Sequence, residues 1–598
     1  MKLCRLLLIL AFLLLGYAAA ITVFSALQKQ DTSPWVFVLM AIGVLAVIAA
    51  NRGYKRLTAF GTARWANAQD LRNAGMLGGY SGLILGRAGD WRTNFFKAIA
   101  GIFNPNVKAA DACEQYLLSL RRKKAADQPL VRLSNAIHTA VFAPTGAGKG
   151  VSCVIPHLLS CPDSTVVVDF KGENARLTAN HRQKVFGHRI VILDPFQVVS
   201  QQPDTFNPLD FIDKVSPTAI DDCRDLAEAL VVRTGKETEP HWVDSAEVWI
   251  AAMVAVVVQY GEPNDRSLQT VRNLLTDPKK MDGVIKLMSE SDAWSGMLSR
   301  LGHQLTHFKD KELASTLTTT NRFLRFLDTL LILDSTKSSS FDPAELVKGK
   351  TTIYLVLPPD HMRAQSPLLR MWIGALLRAV VKAGLQEKNK VHFVLDEAAS
   401  LGHMEALDDA VDKYRAYAVR LQLYYQSLGQ LKKCWPEGAD QTLLSNTTQV
   451  FFGVNDQQTA EYISARLGEA TIVVASGGTS TGTSRTYSDD GKGSSTSSSN
   501  KSDNWQQQGR KLLKPEEVIA LSDRIAITFT PGVPPIWTTL VRYFEEPNIG
   551  RVPGWFKRFN KWSDLMLGAV FTLAMAALIA YAADEKFQGP ISVYLKGR

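Results

Sequence analysis

Lys149 closes the segment Ala143-Pro144-Thr145-Gly146-Ala147-Gly148-Lys149, and Gly150 and Val151 follow it. A turn of this form between a strand and a helix offers successive backbone N–H groups and a helix N-terminus to a polyphosphate, with the lysine adding a point charge. The nucleotide-cradling set is therefore Ala143 through Val151. In the usual loop a Ser or Thr hydroxyl after the lysine ligates Mg2+, and Gly150 has none. The ion must lean on phosphate oxygens, waters and a carboxylate from elsewhere. That predicts weak intrinsic Mg2+ binding and slow basal hydrolysis, because Ser152 comes two residues too late in a helical turn to substitute easily.

The carboxylate is found in "VHFVLDEAAS", an apolar run ending in Asp396 and Glu397. At such a strand tip one acid holds Mg2+, usually through water, and its neighbour orients or deprotonates the attacking water. Asp396 takes the metal role and Glu397 the water-activating role. The plainer reading, a helix-capping Asp–Glu pair, is disfavoured by the strand-forming positions before it and the phosphate loop upstream. Further on, "LQLYY" ends in Gln426. An amide there can feel the γ-phosphate or the nucleophilic water and relay its state.

These residues need a frame. Short apolar β-like runs occur at 139–142, 165–170, 189–193, 352–357, 391–395, 421–425 and 450–452, and a final pair at 525–529 and 536–543 could close the domain. Bounded by polar turns and separated by helical stretches, they predict an α/β domain with a parallel sheet covered on both faces. Between the third and fourth runs, residues 214–333 carry apolar positions at three- and four-residue spacing, an all-α insertion. Its run 248–260 is too short for a membrane span and follows Asp244 and Glu247, so it reads as a buried core helix. Residues 475–504, rich in Ser and Gly, predict a disordered loop or linker that cannot bury enough apolar surface to order itself.

A chain of 598 residues implies two or three folding units, and 46% hydrophobic with 21% charged residues is a globular balance. The apolar residues bunch at the ends. Residues 6–27 hold no charge and, at about 1.5 Å per residue, can cross a hydrocarbon layer of roughly 30 Å. Residues 34–50, with Trp35 at the interface, complete a membrane hairpin; a signal peptide is the rival, weakened by this second span and by Arg52, Lys55 and Arg56 behind it. The positive-inside rule puts the bulk of the chain in the cytoplasm. Residues 565–583 are either a third span or interfacial helix, or a buried helix. The six cysteines form no CxxC pair, which fits a reducing compartment and argues against a metal site built on them. The net charge of +10 lies largely before residue 135, beside the apolar spans, where basic residues more often meet anionic lipid than nucleic acid.

The series "APTGAGKGVSCVIPHLL", "TVVVDFKGENARLTANHR", "ILDPF", "FNPLDFI", "FVLDEAASLGHMEALDDAVDKYRAYAVRLQLYYQSLGQL", "SNTTQVFFGVNDQQTAEYISARLG" and "GRKLLKPEEVIAL" resembles the type IV coupling proteins, the membrane-anchored ATPases of conjugation and type IV secretion. Glycine after the loop lysine is common in that family. The resemblance implies a RecA-like P-loop nucleotide-binding domain with an all-α insertion domain and an N-terminal transmembrane hairpin. It assigns residues 1–56 to the anchor, 57–213 and 334–547 to the nucleotide-binding domain, 214–333 to the insertion and 548–598 to a C-terminal tail. It also implies ATP and Mg2+ as ligands, a homohexamer when active, and a multi-pass protein of the inner membrane. An arginine would act in trans, with Arg415 first choice and Arg420 second. The implied partners are single-stranded DNA with relaxase and relaxosome proteins, and components of the secretion channel. Two alternatives stay open: a coupling ATPase for protein effectors only, and a nucleotide-gated scaffold that does not cycle.

Overall fold

The computed structural model describes residues 59–77, 82–88, 129–134, 137–233, 239–386, 388–435, 438–487, 493–546 and 549. The segments 6–27, 34–50 and 565–583 lie outside the described residues. The strands are β1 (Leu83–Ala88), β2 (Leu130–Leu133), β3 (His138–Phe142), β4 (Ser164–Asp169), β5 (Arg189–Leu193), β6 (Thr351–Val356), β7 (Val391–Leu395), β8 (Val419–Tyr425), β9 (Thr447–Phe452), β10 (Glu469–Tyr487), β11 (Gly493–Lys511), β12 (Ile525–Thr530) and β13 (Val533–Thr539).

One 11-stranded sheet runs in the order β2-β1-β13-β12-β9-β3-β8-β7-β4-β6-β5. From β9 to β5 every pairing is parallel. From β9 outward to β2 every pairing is antiparallel. The sheet is thus mixed rather than parallel throughout. Its antiparallel wing recruits β1 and β2, strands that the sequence pattern did not single out, and β12–β13, joined by the tight turn Pro531–Gly532.

Strands β3, β4, β6 and β7 are buried along their whole lengths, as strands covered on both faces must be, while the edge strand β5 is only partly buried. Side chains alternate with the two-residue period of a strand. Ala140, Phe142, Val166, Val168, Phe393 and Leu395 face one core with Trp249 and Trp372. Val141, Val167, Val394 and Tyr424 face a second core with Cys153, Leu158 and Ala175.

The helix after the phosphate loop is α1 (Ile155–Ser160), and β4 leads into α2 (Glu173–Phe186). Between β5 and β6 come α3 (Ala219–Leu230), α4 (Pro240–Tyr260), α5 (Leu268–Thr276), α6 (Pro278–Ser289), α7 (Ala293–Leu305), α8 (Asp310–Leu324) and α9 (Leu330–Thr336). Helix α4 alone among the described residues is long and apolar enough to cross a membrane, yet 72% of its apolar window is buried in the protein. Trp249, Ile250, Met253 and Val254 are fully buried there, so α4 is a core helix. Helix α10 (Pro359–Lys382) follows β6 and packs Trp372 beneath the sheet.

The stretch 475–504 departs from its reading as a disordered loop. Strands β10 and β11 pair in register from Glu469 opposite Lys511 to Tyr487 opposite Gly493. A ladder satisfies backbone groups without needing an apolar core, so a composition too polar to build a core can still form a two-stranded ribbon. The ribbon is rooted by Ala63 N–H donating to the Glu469 carbonyl at 3.0 Å and Thr471 N–H donating to Gly61 at 3.3 Å.

Candidate functional site

The phosphate loop leaves the C-terminal end of β3. Its first amide, Ala143 N–H, donates to the Tyr425 carbonyl at 3.0 Å, tying the loop to β8. Gly146 and Gly148 turn with φ of +86° and +94°, backbone that an L side chain would strain. Lys149, 8% exposed, starts a π-helical turn over Gly150–Val154 in which Ile155 N–H reaches Gly150. The wide turn has a local cause: Pro156 has no N–H and its ring would crowd the Ser152 carbonyl of a regular helix.

Sheet order then decides which groups meet. Strand β8 lies between β3 and β7, so Gln426 at its tip stands between the phosphate loop and the acidic pair. The Lys149 ammonium donates to the Ala143 carbonyl at 2.8 Å and lies 3.9 Å from Glu397 Oε1. The Gln426 amide Nε2 donates to both Glu397 carboxylate oxygens at 3.2 Å. The Gln430 side chain fixes this amide's backbone, accepting from Gln426 N–H at 2.6 Å. Glu397 sits in the left-handed region, φ +57°, which turns the chain sharply at the end of β7.

Asp396 is crowded by acid. Burial, then Glu397, raises its carboxyl to about pKa 6; Lys149 opposes this and Asp169 adds to it. Asp169, at the tip of β4, accepts Ala175 N–H at 2.8 Å and so caps the start of α2. Burial raises its pKa too, against the pull of these backbone N–H groups. Asp396 and Glu397 flank the Lys149 ammonium, with Asp169 near enough to raise the Asp396 carboxyl further, and carboxylate oxygens of this kind suit Mg2+.

Arg415 and Arg420 are not brought into this site within the chain. They stand at the opposite end of β8, whose seven residues span about 20 Å at ~3.3 Å each. Arg420 Nη1 donates to the Arg415 and Val419 carbonyls. Both guanidiniums lie near His138 at the start of β3, and after burial they help depress its pKa to about 3.

One supporting residue escaped the sequence reading. Gly453, directly after β9, has φ +60°, and a Cβ there would lie 3.0 Å from the Ala147 Cβ. Only glycine lets β9 approach the phosphate loop so closely. A glycine ending an apolar strand was its sole signal.

Residues 65–567 match the protein-family model described as type IV secretory system conjugative DNA transfer. The chain is 28% identical over 559 residues to protein VirD4 of Rhizobium radiobacter, spanning 90% of this chain and 70% of that protein. It is 24% identical over 542 residues to the conjugal transfer protein TraG of Escherichia coli, spanning 85% and 80%. Among solved structures, the plasmid coupling protein TrwB in complex with a non-hydrolysable ATP analogue aligns with a TM-score of 0.51 at 18% identity, over 71% of this chain and 91% of that one. That last likeness is one of fold.

Proposed function

The chain belongs to the type IV secretory conjugative DNA-transfer family, and from that premise we propose that it is the inner-membrane coupling ATPase of a conjugation or type IV secretion apparatus. It recruits a DNA–protein substrate and drives it into the secretion channel by ATP hydrolysis. The observation that carries the reading is the convergence of Lys149, Glu397 and Gln426 from three separate strand ends.

The loop amides and Lys149 hold the phosphates. Mg2+, when bound, neutralises developing phosphate charge, and Asp396 is the residue that would hold it. Glu397 accepts the proton of the attacking water as the bond to the γ-phosphoryl group breaks. Gln426 holds the Glu397 carboxylate by both oxygens, so the sensing amide and the general base form one unit. Since Arg415 and Arg420 stand roughly 20 Å away along β8, their part in the reaction is in trans, in a homohexamer. The helices α3–α9 are the cytoplasmic surface that meets substrate and relaxosome proteins, with residues 1–56 as the anchor.

A mating assay on Glu397→Gln, paired with ATPase measurement with and without single-stranded DNA, tests this. Transfer and hydrolysis fall together while nucleotide still binds. Transfer that survives the substitution would favour a non-cycling scaffold. ATPase activity indifferent to DNA at any salt concentration would favour protein cargo, since phosphate contacts are steeply salt-dependent.

A further inference from the structure

At the N-terminal ends of the strands, away from the nucleotide loop, lies a second group of chemically able side chains. His157 on α1 and Cys161 just after it are fully buried, and His392, the second residue of β7, is 7% exposed. One ligating atom from each of these three lies within 4.8 Å of the others. Asp163 joins them: its Oδ2 is 3.0 Å from His392 Nε2 and 3.4 Å from Cys161 Sγ. The Cys161 Sγ to His392 Nε2 distance is 3.8 Å.

These separations can be compared with a tetrahedron. Metal–sulfur bonds of ~2.3 Å and metal–nitrogen or metal–oxygen bonds of ~2.0–2.1 Å give edges of roughly 3.3–3.6 Å between ligand atoms. The three edges of the Cys161–Asp163–His392 triangle bracket that range, and His157, whose Nε2 lies 2.9 Å from Gln422 Nε2, offers a ring nitrogen within 4.8 Å of the Cys161 and His392 ligand atoms. The ligand-bearing segment is also held rigidly. Arg182, fully buried, donates to the carbonyls of Leu158 at 2.7 Å, Cys161 at 2.8 Å and Asp163 at 2.6 Å. A loop this firmly pinned presents its side chains with little ordering left to do.

We propose that Cys161, Asp163, His392 and His157 form a structural site for Zn2+ or a similar borderline divalent ion, fastening the far end of the phosphate-loop helix to the start of the acidic strand. The donor set, one sulfur, two imidazoles and one carboxylate, suits that ion and not Mg2+, which takes oxygen. His392 and Asp396 are four residues apart on one strand, about 13 Å, so the two metal positions are distinct.

The test uses the full-length chain in detergent with Mg2+ in excess, so that oxygen sites are filled. Titration with Co2+ is expected to give one equivalent bound and a thiolate-to-cobalt charge-transfer absorption, discharged by added Zn2+. Cys161→Ser, close in size, abolishes that absorption while a fluorescent nucleotide still binds, and His157→Gln weakens the metal about tenfold or more. Zn2+ raises the Tm of the unaltered chain. An absorption that survives Cys161→Ser overturns the proposal. Should Cys161→Ser fail to fold, the unaltered chain decides: no zinc by elemental analysis and no charge-transfer band with Co2+ also overturns it.

Discussion

Gly150 offers a test in which a residue is added rather than removed. An ideal Cβ at this position has nothing within 4 Å, and the π-helical turn keeps φ out of the positive range. Gly150→Ser therefore costs no steric strain, and exchanging glycine for serine inside a helical turn gains about 0.5 kcal/mol in backbone propensity. The larger effect concerns Mg2+. A serine hydroxyl directly after Lys149 occupies the position from which the usual loop ligates the ion, replacing a water. Valued as one hydrogen-bond-class interaction to a charged partner, this is worth about 1.5 kcal/mol, or roughly a tenfold fall in the Mg2+ concentration needed for half-maximal nucleotide binding. The assay is a Mg2+ titration at fixed fluorescent ATP analogue, with a melting curve alongside. A variant that melts at or above the parent temperature yet shows the parent's Mg2+ dependence refutes the argument that the missing hydroxyl weakens the site.

Three further outcomes follow from the geometry. Glu397→Gly relieves the left-handed strain and stabilises the chain by about 1 kcal/mol, while ATP turnover falls at least about 100-fold; melting and ATPase measurements separate the effects, and a lowered Tm would contradict the strain. Gly453→Ala forces β9 off Ala147 and strains a positive φ, costing about 1–2 kcal/mol and weakening nucleotide binding more than it lowers the Tm. Glu228 on α3 has its pKa raised to about 7, by burial and then by Glu405. A carboxyl that binds its proton more tightly folded than unfolded favours the fold below its unfolded pKa, and that advantage is lost as pH rises to about 7. Discounted for partial exposure, Glu228→Gln should stabilise the chain by about 1–2 kcal/mol at pH 8 and leave it unchanged near pH 4.5.

The parts of the site legible in the sequence were those whose chemistry is written locally. The phosphate loop, the acids after "VHFVL" and the glutamine after "LQLYY" each sit at the end of an apolar run, and a parallel sheet carries such ends to one edge. What stayed hidden depends on partners distant in the chain. The Gly453–Ala147 approach exists only because β9 flanks β3, and the bond from Gln426 to Glu397 only because β7 flanks β8. Strand β2 has four residues, one of them an arginine, and β1 contains a glycine and an arginine, so neither shows the continuous apolar run of the central strands. The ribbon β10–β11 was missed because its order rests on backbone pairing, which leaves no trace in hydrophobicity. Cysteine spacing registers only ligands close in sequence, so it is blind to the proposed cluster, whose Cys161 and His392 lie 231 residues apart.

Strand β8 has a mechanical meaning. It is hydrogen-bonded to a parallel neighbour on each side, and six of its seven residues are buried. Such a rod neither flexes in its middle nor slips past its neighbours without breaking both ladders. The amide at one tip and the guanidiniums at the other are thereby kept a fixed distance apart, like marks on a ruler.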